Sequence, residues 1–145
     1  TGEAFYLDRA TAWTRILDEQ FWDVVQGGYV YARSTDLPEQ VRTRNAFDVA
    51  TPSANGTMIG VQGRLFYATT DQAYAERANN LIQAFAGDAA TQYLQMATYL
   101  NNFELCTSCL EIVVYGPSYD PRTQDLVKAV TGRSLPNRLL YTLYS

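Results

Sequence analysis

Three glycines, Gly56, Gly60 and Gly63, fall inside a stretch that otherwise reads as a helix, and they restrict how this chain can fold more than any other feature. Each costs an α-helix about 1 kcal/mol against alanine, so their presence needs a reason. At spacings of four and three they share one bare face, where another backbone or a ligand can approach closely, and close helix packing is the preferred reading. The stretch has a clear start. Thr51 can cap it by accepting from a backbone N–H two or three residues on, and Pro52 then occupies the first helical position, where its missing N–H costs nothing. Ile59, Leu65 and Phe66 carry the apolar pattern to about Ala68.

The residues before this helix concentrate charge and small polar groups: R-T-R-N-A-F-D-V-A-T-P-S-A-N-G, from Arg42 to Gly56. The N–H groups of Ser53, Ala54 and Asn55 would lie in the first turn, without intrahelical partners and at the positive end of the helix dipole. An anion or a carboxylate fits there. Asp48 can fill that place itself or stand beside a bound hydroxyl, and both readings stay open. Arg42 and Arg44 alternate onto one face if the segment is extended, so either can neutralise Asp48 or meet an anionic ligand; a solvated loop is the simpler assignment.

Elsewhere the periodicity gives a coarse map. Tyr6, Ala10, Trp13, Leu17 and Phe21 recur at helical spacing and predict a helix from Ala4 to about Trp22. Gly27-Gly28 ends it, and Tyr29-Val30-Tyr31 suggests a short extended piece, and so a small hairpin, before the polar loop around Pro38. Asp71 caps a third helix with the stripe Tyr74, Ala78, Leu81, Ile82 and Phe85, stopped by Gly87; with its predecessor it forms an αα-hairpin. A fourth helix is expected from about Asp88 to Phe103, with Tyr93, Met96, Leu100 and Phe103 on one side, ending before the cysteines. The pattern then changes to strand (Leu110–Tyr115), helix (Pro121–Thr131) and strand (Arg138–Tyr144), a βαβ unit with parallel strands and a right-handed crossover. The expected division is a helical segment over 1–105 and a βαβ segment of the same domain over 106–145.

Composition removes several function classes. The 145 residues, 47% hydrophobic, suit one domain with a core or a piece of a larger one. A net charge of −4 without a Lys/Arg cluster argues against a nucleic-acid partner. There is no apolar run long enough for a membrane helix and no signal pattern at the start, so a cytoplasmic protein without membrane association is expected. The chain lacks histidine, so it supplies no Ser-His-Asp triad, Cys-His pair or histidine-ligated metal of its own. Its first residue is Thr1, which suggests a fragment or processed chain.

Cys106-Thr107-Ser108-Cys109 has the spacing of redox dithiols and zinc sites, but it ends a helix instead of opening one, and two cysteines without histidine fall short of a zinc ligand set. Two buried or half-buried thiols are expected, with neither metal nor cofactor. Phe21-Trp22-Asp23 followed by Gly27-Gly28-Tyr29 sets aromatics beside a carboxylate, a combination that holds sugars; a core plug with a helix-ending turn explains it equally and is preferred. Asp23 and Asp48 would form an acid/base pair only if one pKa were raised in an apolar pocket. Gly116-Pro117-Ser118 lacks the signature of a phosphate loop and reads as a turn into a helix started by Asp120-Pro121.

Taken in order, F-W-D-x-x-x-G-G-Y, R-x-R-x-x-F-D-x-A-x-P-S-A-N, A-F-A-G, E-I-V-V-Y-G and L-P-N resemble the C-terminal part of the YyaL-like, spermatogenesis-associated thioredoxin-domain-containing proteins. The resemblance covers the chain from about Phe21 onward. It implies a mainly α fold, the last hairpins of an (α/α) six-hairpin toroid similar to N-acylglucosamine and cellobiose epimerases and six-hairpin glycosidases, followed by the βαβ tail. It also implies an N-terminal thioredoxin-like domain, which owns the family's redox CxxC, so Cys106 and Cys109 do not inherit that role. Asp48, Pro52, Ser53 and Asn55 would lie at the barrel mouth, joined by Trp22, Asp23, Tyr29 and Arg44, with a carbohydrate or polyol as ligand. The remaining thioredoxin-like and barrel segments would be its partners. The family motif usually has glycine at Ala54, serine at Gly56, lysine at Arg44 and aspartate at Asn45. The catalytic histidines of the related epimerases have no counterpart here, so no catalytic residue is assigned and enzymatic activity stays an open question.

Two functions follow as expectations: a carbohydrate-binding cleft with Asp48 and Asn55 as polar contacts, or a non-catalytic scaffold or interaction module in which the same motif fixes a loop. A partial barrel would leave apolar helix faces uncovered, so self-association or a large exposed apolar patch is expected.

Overall fold

Helix α1 (Ala4–Phe21) forms as its periodicity predicts, but its apolar stripe divides. Leu17 and Phe21 pack on the core, whereas Tyr6 and Trp13 face outward, because the buried side is centred on Thr14. The computed structural model describes residues 4–33 and 43–144; the loop around Pro38 and Arg42 lie outside these. The described chain divides into a helical unit ending at Cys106 and a C-terminal unit beginning at Thr107.

After α1 the chain turns through Gly27 (φ 71°) and Gly28 (φ 91°), left-handed conformations that glycine reaches without strain. A Cβ on Gly28 would lie 2.9 Å from the Phe85 ring, so the turn also needs the missing side chain to sit on the core. Tyr29 then bridges back to Trp22 in an isolated antiparallel pair, less than the small hairpin expected there.

Helix α2 (Ala54–Thr69) starts two residues later than its Thr51-Pro52 signal suggests. Ser53 is the N-cap, with extended backbone and its hydroxyl accepting from the Gly56 N–H at 3.2 Å. Thr51 is exposed, and its carbonyl accepts from Val49 instead. Thr70, in the left-handed region, closes α2, and the Asp71 carboxylate caps α3 (Gln72–Gln92) at once through the Ala73 N–H. Such a short connection makes antiparallel neighbours, the αα-hairpin read from the sequence.

Gly87 does not stop α3. Its φ is not positive, alanines follow it, and the helix continues to Gln92. The break comes at a 3-10 turn, Tyr93–Gln95, which drives Met96 into the core before α4 (Ala97–Thr107) begins. The expected fourth helix, from Asp88 to Phe103, is therefore two pieces with a corner between them. Its phase is reset at that corner, so Tyr99 and Leu105 are buried, while Tyr93, Leu100 and Phe103 are exposed. The helix also takes in Cys106 instead of ending before the cysteines.

The glycine face of α2 receives α4. A Cβ on Gly56 would lie 2.9 Å from the Tyr99 N–H nitrogen, one on Gly60 would strike Asn102, and one on Gly63 would lie 2.7 Å from the Cys106 sulfur. The partners advance along α4 as the glycines advance along α2, so the two helices run parallel. Asn102 spans the seam by donating to the Gly56 carbonyl at 3.0 Å. Around it, Met58 and Ile59 of α2, Leu81, Ile82 and Phe85 of α3, Met96, Tyr99, Tyr29 and Ala46 form one buried cluster.

In the C-terminal unit β1 (Leu110–Tyr115) pairs in parallel with β2 (Arg138–Leu143), in register from Leu110 with Arg138 to Tyr115 with Leu143. Helix α5 (Pro121–Thr131) connects them; Asp120 caps it and Pro121 opens it, as the sequence indicates. Among the described residues no helix is long and apolar enough to cross a membrane.

The glycines of the helical unit are expected to respond in opposite directions to alanine. Gly87→Ala meets nothing within 4 Å and should raise stability by about 0.5–1 kcal/mol. Gly56→Ala should lower it despite the same gain in helix propensity, because the backbone of Tyr99 cannot yield; paired thermal denaturations give the signs.

Candidate functional site

The segment before α2 is held by Asp48. One carboxylate oxygen accepts from the Ser53 N–H at 2.8 Å, the other from the Thr98 N–H at 2.7 Å, and the Asp48 N–H donates to the Gln95 carbonyl at 2.7 Å. Asp48 thus joins the N-termini of α2 and α4, where both dipoles favour a negative charge. Partial burial pushes its pKa up, but the Thr98 and Ser53 hydrogen bonds outweigh this and hold it below the usual aspartate range.

Asn55 sits one turn inside, fully buried. Its oxygen accepts from the Tyr29 N–H at 2.7 Å, and its NH₂ donates to the carbonyls of Tyr29 and Asn45, both at 2.9 Å. These bonds all go to the chain on either side of residues 34–42. The Tyr29 hydroxyl donates to Asp18 and accepts from Gln62 at 2.8 Å. Burial, then the Asp18 hydrogen bond and charge, push its pKa well above the ordinary tyrosine value, so it stays a neutral donor. Asp18 also faces Arg77 at 3.6 Å, whose guanidinium lies 3.9 Å from the Trp22 ring centroid. Trp22 meets Tyr29 in a T-shaped contact at 5.2 Å.

Two of the sequence-derived groupings therefore exist in space, Asp48 with Ser53 and Asn55 with Tyr29 and Trp22. Others do not form. Asp23 accepts from the Val25 and Gln26 N–H groups of its own turn at 2.9 and 3.0 Å. Among the described residues Arg44 pairs with no carboxylate, Asp48 included; it donates to the Gln26 side chain at 2.9 Å and lies over the Phe85 ring. Cys106 and Cys109 are half-buried, Cys106 donating to the Ile59 carbonyl at 3.7 Å. Among the described residues no three His, Cys, Asp or Glu side chains gather as a metal site would require.

Sequence reasoning missed Asp18, Gln62, Arg77 and Thr98. Gln62 had a signal, as a polar residue lodged between Gly60 and Gly63 on a helix whose small residues mark contact; Thr98 had none, since it acts through its backbone. A second feature, equally unmarked, is a groove of about 410 Å³ between the Trp22–Gly27 turn and α3, lined by Trp22, Val24, Gln26, Asn80, Gln83 and Ala84 among others. Comparison of the sequence with protein-family models and with curated proteins gives no match.

Asp48→Ala removes acceptors from two helix starts, each worth about 1 kcal/mol, so a loss of about 2 kcal/mol is expected at neutral pH. A depressed carboxylate pKa contributes stability above its unfolded value and loses it as pH falls through the folded one. Denaturation series on both proteins should therefore show the gap narrowing below about pH 4.

Proposed function

We propose that the helical unit is a non-catalytic scaffold segment, the closing hairpins of an (α/α) toroid in a protein of the YyaL-like kind. One observation carries this: each Asp48 oxygen, and both the oxygen and the NH₂ of the Asn55 amide, are engaged inside the protein by backbone groups of the elements they join. A motif used this way fixes a loop and aligns helix ends. The parallel seam of α2 and α4, with α3 antiparallel, agrees with alternating inner and outer helices. The outer face of α1 supports the same reading, since Phe5, Tyr6, Trp13 and Ile16 are exposed there. A helix apolar on two sides is built to be covered on both.

Sedimentation of the chain by itself tests this. It should associate with rising concentration, and Trp13→Asp, which alters an outward residue 64% exposed, should return it to a monomer with unchanged helix content. A chain monomeric up to high micromolar concentration would overturn the covered-face reading.

A second reading, a carbohydrate or polyol bound at the toroid mouth, draws support from Asp48 being only partly buried where two helix N-termini converge. A carboxylate has about four lone-pair sites, and two N–H groups leave room for a hydroxyl. On this reading a panel of neutral sugars should raise the melting temperature of the parent and not of Asp48→Asn. No shift with any sugar would leave the scaffold reading alone.

A further inference from the structure

We propose that the outer edge of β1 takes up an extended strand of another polypeptide, paired antiparallel and carrying apolar, apolar and basic residues at alternate positions. Among the described residues the two strands of the C-terminal unit have only each other. The Leu110 N–H donates to the Asn137 carbonyl and the Gly116 N–H to the Leu143 carbonyl, so the even-numbered residues of β1 turn their backbone groups toward β2. The N–H and C=O groups of Glu111, Val113 and Tyr115 point the other way, where no described residue bonds to them. An extended backbone matches such a row of donors and acceptors at every second residue. Parallel strands are normally covered on both faces and joined by further strands, so a pair with an open edge is a sheet still to be completed.

The side chains identify the incoming strand. A Cβ on Gly116 would strike Thr123 of α5, and Val114, of the same parity, is buried, so α5 covers the even face of β1. Glu111, Val113 and Tyr115 share the opposite face and are exposed, Val113 to 58% and Tyr115 to 72%. On an antiparallel strand, the residue directly opposite each of them stands about 5 Å away on the same side. Val113 and Tyr115 call for apolar partners. Glu111 pairs with no cation among the described residues: Leu139 lies across from it, and the Arg138 guanidinium is bound to the Val130 and Arg133 carbonyls. It therefore calls for lysine or arginine. A second copy of β1 fits less well, since pairing centred on Val113 would set Tyr115 against Glu111. The outer edge of β2 is less open, with Leu140 and Thr142 half-buried, and β1 has no proline, lysine or bulge to close its own. All of this lies within the C-terminal unit and is independent of the toroid reading.

The test is an amide NMR titration of the whole chain with a blocked peptide in which threonines alternate with valine, valine and lysine, in that order. Saturable shifts should appear on the Glu111, Val113 and Tyr115 amides, and hydrogen exchange of the Val113 and Tyr115 amides should slow. The same peptide N-methylated at both valines keeps every side chain but loses the donors, so it should not bind. A peptide with glutamate for lysine should bind roughly threefold more weakly, and Glu111→Lys, a change at an exposed position, should invert that preference. No saturable shift, equal binding of the N-methylated peptide, shifts on Leu140 and Thr142 in place of the β1 residues, or an unchanged preference in Glu111→Lys would each overturn the assignment.

Discussion

The helical unit depends on a single carboxylate placed between two helix starts. Parallel helices lying side by side set like ends of their dipoles together, and without a compensating charge the N-termini of α2 and α4 would repel each other. Asp48 turns that repulsion into attraction, and its two oxygens satisfy an N–H at each start. Because its own N–H holds the Gln95 carbonyl, the same residue also fixes the corner at which α3 gives way to α4. Chain direction, helix start and corner are therefore set together.

Asn55 does for the chain's long-range connection what Asp48 does for the helix ends. A buried amide bonded to Tyr29 on one side and Asn45 on the other ties together the two pieces of chain that flank residues 34–42. Tyr29 passes the connection on to Asp18 of α1 and Gln62 of α2 through its hydroxyl. A polar chain of this kind, surrounded by Ile59, Leu81 and Phe85, favours this arrangement of the helices, because separating them would take the Tyr29 hydroxyl and the Asn55 amide from their buried partners.

Much of this architecture was legible in the sequence, and the parts that were not share a cause. The βαβ tail, the α2–α3 hairpin and the packing role of Gly56, Gly60 and Gly63 follow from periodicity and from the cost of glycine in a helix, both local properties. The Thr51-Pro52 start failed because Asp48, five residues before Ser53, moved the cap. Gly87 failed as a stop because a glycine ends a helix only where the chain must enter the left-handed region, and here it had no need to turn. The outward Trp13 was missed because a helix with two apolar sides gives no single stripe. At the site, identities were legible and destinations were not: Asp48 and Asn55 could be singled out as polar residues at a helix start, but that they bond Thr98 and Tyr29 is a matter of tertiary placement.

The glycine seam has a mechanical consequence. Three bare positions on α2 matched to Tyr99, Asn102 and Cys106 on α4 act as notches, and sliding would bring side chains of α2 against the Tyr99 backbone and against the Asn102 and Cys106 side chains. The two helices therefore travel as one beam. Any adjustment that the helical unit makes on meeting a partner is left to its joints, the 3-10 corner before Met96 and the turn through Gly27 and Gly28, the second of which forms one wall of the groove.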